Sequence, residues 1–217
     1  MKYRLLILLF AGCLFGCKSK AQKIAIKPEA IKLNKIAMDT LIKGADRVKA
    51  LAAAVTLLNK ATEIDSNYFI GYSNKFSYQT ELKEYDKALI TGKRMMKLRP
   101  NNVTIKMQVG IVYEKTGDKV AAIQCYNQGL SIYDKLLDTM NVNNPAYKEL
   151  LFEKASDLVL LHQEQKGYSI MRELYDKEAN TDIKQMYKQY INMSREDMIS
   201  GKGETMATIS ENVNVKN

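Results

Sequence analysis

The sequence predicts an all-α fold, an α-solenoid of stacked antiparallel helix pairs closed by a C-terminal capping helix. Three observations carry this. Residues 35–134 repeat at a spacing of 34, with Lys35, Phe69 and Val103 opening three successive units. Ala54, Ala88 and Ala122 then fall at the twentieth position, Ala61, Met95 and Gly129 at the twenty-seventh, and Ser66, Pro100 and Asp134 at the thirty-second. A period of about 20–50 residues marks stacked-repeat architecture. The composition points the same way: Leu, Ala, Lys, Met and Glu are plentiful, and proline is confined to Pro28, Pro100 and Pro145, which favours helix throughout. Beyond the third unit, apolar residues recur at helical spacing, and no stretch alternates as a strand would.

In chain order, residues 1–17 (MKYRLLILLFAGCLFGC) join a basic start, Lys2 and Arg4, to an apolar run from Leu5 to Phe15. The run is shorter than the roughly 20 residues a membrane-spanning helix needs, so it predicts a secretory signal. Leu14-Phe15-Gly16-Cys17 resembles the lipobox of bacterial lipoproteins, aliphatic at −3 and small at −1, although Phe15 departs from the pattern. The resemblance implies a lipidated Cys17 as the mature N-terminus, with Cys13, after Phe10-Ala11-Gly12, as the alternative. Each buried methylene of an acyl chain contributes about 0.8 kcal/mol, so two or three chains anchor stably. An ordinary signal peptide is the plainer reading of the same stretch.

Residues 18–28 read as a basic tether. They lack the acidic run that some Bacteroidota lipoproteins carry as a surface-export mark, while the Lys-, Asn- and Tyr-rich usage resembles that phylum. The expected location is therefore periplasmic, lipid-anchored at the inner face of the outer membrane. A helical domain over 29–200 follows, opened by Pro28-Glu29 with proline at the first helical position and a carboxylate in the first turn.

The units span about 35–68, 69–102 and 103–136. In the third, Val109-Gly110, Tyr113, Gly117-Asp118, Ala122 and Tyr126 resemble the tetratricopeptide repeat, a pair of antiparallel helices that the family stacks into a right-handed superhelix. The second unit keeps Tyr72, Tyr85, Ala88 and Pro100, but has Phe76 in place of the small residue and Gly92 in place of the aromatic. The first keeps Leu41, Ala54, Leu58 and Ala61, with Gly44 and Asp46 drawing its turn early. Small residues at fixed places let helices approach where bulk would overpack at about 1–3 kcal/mol. Gly117-Asp118 supplies a left-handed turn and then an N-cap.

The cluster DTMNVNNPAY reads as a loop. A diverged helix pair is expected over 145–179, broken at Gly167, and a capping helix over 181–200 carrying Ile183, Tyr187 and Tyr190 on its packed side. Residues 201–217 have too little apolar content to order themselves.

The net charge is +9. A basic excess suits nucleic acid or an anionic surface, but the lysines are interspersed with carboxylates and no aromatic-interleaved stripe accompanies them, so no nucleic-acid partner is expected. His162 is the only histidine. HExxH, phosphate-loop, nucleophile-elbow and paired-cysteine metal patterns are all missing from the sequence, so the expectation is no catalysis, cofactor or metal. Cys125 reads as a small core residue.

The tetratricopeptide resemblance implies a concave face lined by positions 2, 5 and 9 of each first helix. These are Ile36, Asp39 and Lys43, then Ile70, Ser73 and Ser77, then Thr104, Met107 and Ile111. The family's clamp for acidic chaperone tails is not reproduced: the corresponding residues are Asp39, Lys43, Asn74, Thr104 and Gln108, of which Asn74 alone fits. The apolar members suit a peptide or a partner's helix, or else complete packing between units. The expected function is a lipid-anchored adaptor for protein or peptide partners of the cell envelope. The alternatives are a ligand-binding lipoprotein with a pocket between the third unit and the C-terminal helices, and an envelope enzyme within 145–200.

Overall fold

The computed structural model describes residues 25–200. The predicted leader with Cys13 and Cys17, the first part of the tether and the segment 201–217 lie outside the described residues. Ten helices are present among those described: α1 (Pro28–Lys43), α2 (Arg47–Ile64), α3 (Phe69–Glu81), α4 (Tyr85–Leu98), α5 (Val103–Thr116), α6 (Lys119–Thr139), α7 (Pro145–Leu160), α8 (Glu164–Lys177), α9 (Thr181–Ile191) and α10 (Arg195–Ser200). Helices α1–α8 form four antiparallel pairs, each packed on the next. Helix α9 lies on α8, and α10 turns back against α5 and α7.

Capping fixes the starts. Asp46, Asn102, Asp118 and Asn144 each accept a backbone N–H from the first turn of the helix they precede, at 3.0–3.1 Å, satisfying donors that have no partner within the helix. Pro28 and Pro145 occupy the first helical turn, where a missing N–H costs nothing.

The first pair departs from the 34-residue register. The last residues of α1 and α3, Lys43 and Glu81, stand 38 apart, and α2 has 18 residues against 14 in α4. One extra helical turn lies in α2. A shift of four residues keeps a helix face nearly in phase, so both Ala50 and Ala54 are buried and the sequence period survives the insertion. The third unit also runs longer than the repeat: α6 continues to Thr139, two residues into the stretch expected as a loop.

The irregular residues of the second unit compensate one another. In the third unit, a Cβ added to Gly110 would come within 2.4 Å of the Tyr126 ring. Thirty-four residues earlier the partners exchange sizes: a Cβ on Gly92 would meet the Phe76 ring at 3.0 Å and Val109 at 2.6 Å. Large-on-small fills the same space from either side.

Three of the four turns between paired helices use a left-handed residue, the α1–α2 turn being the exception. Gly117 supplies one at φ 84°, and Lys83, its counterpart in the second unit, adopts φ 59°. His162 does the same between α7 and α8 at φ 58°. The lone histidine is thus a turn residue, two-thirds exposed and 3.6 Å from Glu164.

Gly167 does not break a helix. It lies inside α8, four residues after the residue preceding that helix, as Ala122 does in α6 and Ala88 in α4. A Cβ there would meet the Ala155 carbonyl at 2.5 Å. It is the small residue of a fourth pair, displaced from the period by the longer α6 and its loop.

Helix α9 packs where a fifth pair would begin, with Tyr187 and Tyr190 buried against Phe152 at ring centroid distances of 5.1 Å. Ile183, expected on the packed side, is 40% exposed. The cap is not one continuous helix: Asn192–Ser194 interrupt it, and the Tyr168 hydroxyl donates to the Met193 carbonyl at 2.7 Å across the break.

Candidate partner-binding groove

The first helices of the pairs, expected from the tetratricopeptide resemblance to line the inner face, are α1, α3, α5 and α7. Over α1, Ile36 is 40% exposed and Lys43 exposed, with Asp39 half-buried. Together with Thr40 and Gly44 they border a shallow, open depression. Matching α1 to α3 at their last residues puts Lys32, Lys35 and Asp39 level with Ile70, Ser73 and Ser77, one turn before the predicted set. Over α3, Ile70 is 55% exposed, Ser77 exposed and Ser73 half-buried. Between the two helices the Asn74 amide donates to the Asn34 side-chain oxygen at 2.8 Å. The one residue that matched the chaperone clamp is held in an inter-helix bridge.

Over α5 the surface is different. Thr104, Met107 and Ile111 are all half-buried. Met107 and Ile111 pack in one cluster with Leu161 and with Met198 and Ile199 of α10, around the buried Tyr126 and Leu160. Arg195, at the start of α10, pairs with Glu114 of α5, the two side chains being 11% and 7% exposed. Its Nε–H also donates to the Leu160 carbonyl at 2.9 Å. The sequence reading missed Glu114 and Arg195, which lie 81 residues apart and share no local pattern.

Behind this surface lies a buried acidic pair on α7. Glu153 accepts from the Tyr133 hydroxyl at 3.1 Å and from Thr104 at 3.4 Å. Asp157 is fully buried against Gly129, and neither of its carboxylate oxygens has a hydrogen-bond partner. Burial raises the Asp157 pKa well above the usual carboxylate range, with the Glu153 charge adding to it. Glu153 is raised by the same loss of hydration. Loss of hydration disfavours the charged form of both side chains. Burial also pushes the Cys125 thiol up, which leaves it unreactive.

Between α6, α7 and α8, where a ligand pocket was an alternative, there is an open depression bordered by Leu130, Leu158 and the Asp134–Lys154 ion pair at 2.6 Å. No group of three or more His, Cys, Asp or Glu is placed to hold a metal among the described residues. No described helix is long and apolar enough to cross a membrane.

No protein family matches the sequence, and no curated protein matches it either. The fold, however, is shared with solved structures. A double mutant of MamA RS-1 is 17% identical, with a TM-score of 0.51 over 87% of this chain and 93% of that one. A variant of a Podosopora anserina putative kinesin light chain, described as having nearly identical TPR-like repeats, is 12% identical with a TM-score of 0.52 over 87% and 95%. The class is thereby defined as an all-α, right-handed solenoid of tetratricopeptide-like helix pairs with a C-terminal cap. At these identities the likeness is one of fold alone.

Proposed function

We propose that the chain is a lipid-anchored adaptor of the cell envelope, periplasmic and without catalysis of its own, that binds protein or peptide partners along its inner face. The observation that carries this is the stretch over α1 and α3, where Ile36 and Ile70 stand 40% and 55% exposed beside the small Ser73 and Ser77. Apolar anchors separated by small polar residues suit an extended or helical peptide. Anchoring through Cys17, with Cys13 as the alternative, would confine the scaffold to a membrane surface and raise its effective concentration for partners there.

Crosslinking in native membranes, followed by mass spectrometry of what co-purifies, tests the adaptor reading. Ile70→Glu and Ile36→Glu, with the helical content unchanged, are expected to lose the partners that the parent retrieves. Retrieval of the same set by both variants would remove the surface over α1 and α3 from consideration. The anchor is tested separately: Cys17→Ala should release the protein from the membrane fraction, and acylation that persists there would point to Cys13.

A further inference from the structure

Helix α10 has six residues, too few to hold a helix by itself in water. Its conformation therefore comes from the groove it occupies. The contacts are of two kinds. Arg195 inserts between the Glu114 carboxylate and the Leu160 carbonyl, with little of either charged side chain left exposed. Met198 and Ile199, three and four residues on, join Met107, Ile111 and Leu161 in an apolar shelf packed against the buried Tyr126 and Leu160. A charged socket beside an apolar shelf is the layout of a recognition site for one helical turn.

We propose that this part of the inner face is a binding site for a helical segment carrying Arg followed three and four residues later by apolar side chains, and that α10 holds it closed in cis. This deepens the adaptor reading by giving the partner's chemistry and a form of regulation. A partner of that description reaches the third unit only by displacing α10. The three-residue link Asn192–Ser194 keeps the displaced segment close, at an effective concentration in the millimolar range. Affinity for the free partner is lowered by the fraction of chains in which the site is open.

The test uses the full chain, methyl-labelled at methionine, and a synthetic peptide of residues 192–201. In the parent the Met107 methyl resonance should barely respond to millimolar peptide. In the variant Arg195→Glu with Met198→Glu, α10 is released and the same resonance should shift, with affinity at least about tenfold tighter than the parent's. A peptide carrying Arg195→Glu should fail on the released chain. Arg195→Gln alone, milder on the fold, should move affinity in the same direction.

A folded, released chain that ignores the peptide overturns the proposal, and so does equal binding by parent and released chains. Neither result touches the adaptor reading if Ile70→Glu still loses partners. Conversely, partner capture unchanged by Ile70→Glu and Ile36→Glu, with intact peptide binding, would remove the surface over α1 and α3 and leave this site standing.

Discussion

The second and third units are built on one period and solve the same packing problem in opposite ways. Phe76 fills the space over Gly92 in one, and Tyr126 fills the space over Gly110 in the other. Lys83 takes the left-handed turn that Gly117 takes 34 residues later. Ile70 stands open on the inner face, whereas Met107 and Ile111 lie under α10. The repeat dictates where helices run. It leaves to each unit which helix contributes bulk and what covers the inner surface.

The exchange of sizes offers the largest effect. Phe76→Gly should destabilise the chain by about 3–5 kcal/mol, as removal of a buried aromatic does. Adding Gly92→Tyr, which rebuilds the third unit's arrangement in the second, should recover more than half. Urea unfolding measures both, and additive losses would show that the two positions are not coupled.

Next is the acidic pair behind the third unit, which has no counterpart in the second. Because the folded-state pKa of Asp157 is raised, its contribution to stability is fully present below the unfolded value near 4. It is lost as pH rises from there through the raised folded value, and is constant above it. The stability of the parent should therefore fall over that window, with Glu153 acting in the same direction. Asp157→Asn removes the titrating group and should flatten the fall. Parallel pH profiles for the two chains would contradict this.

The turn residues give the smallest effect. Lys83→Gly should stabilise by about 0.5–1 kcal/mol by removing a side chain from a left-handed position. Gly117→Lys should cost a similar amount, and His162→Gly should behave as Lys83→Gly does. Thermal melts resolve all three.

The parts of this fold that sequence makes legible are those with local or periodic causes. The small residues at Ala88 and Ala122, the cap at Asp118 and the turn at Gly117 each have a one-residue physical reason. The extra turn in α2 was hidden because a four-residue shift preserves a helix face. Gly167 read as a break because a glycine inside a helical pattern has two meanings, and only the neighbouring Ala155 carbonyl separates them. The exchange between Phe76 and Gly92 read as two departures, although 34-residue spacing relates them to Tyr126 and Gly110. Helix α10 was the hardest: Ser194 caps it, accepting the Asp197 N–H at 3.1 Å, but six residues are too few to hold a helix without packing. Its cause is Glu114, on another helix. Ile70 and Ile36 are both exposed, but the extra turn in α2 sets Ile36 one helical turn beyond the residue level with Ile70. The covering of Met107 and Ile111 depends on a distant segment that no periodicity encodes.

Thiol modification measures the contrast between an open second unit and a covered third most directly. With Cys13 and Cys17 changed to Ser, Ile70→Cys and Ile111→Cys are labelled separately, the buried Cys125 serving as a slow internal reference. Labelling at position 70 should be at least about tenfold faster than at 111, with a matching rise at 111 when Arg195→Glu and Met198→Glu release α10. Equal rates at the two positions, or a rate at 111 that the release leaves unchanged, would contradict it.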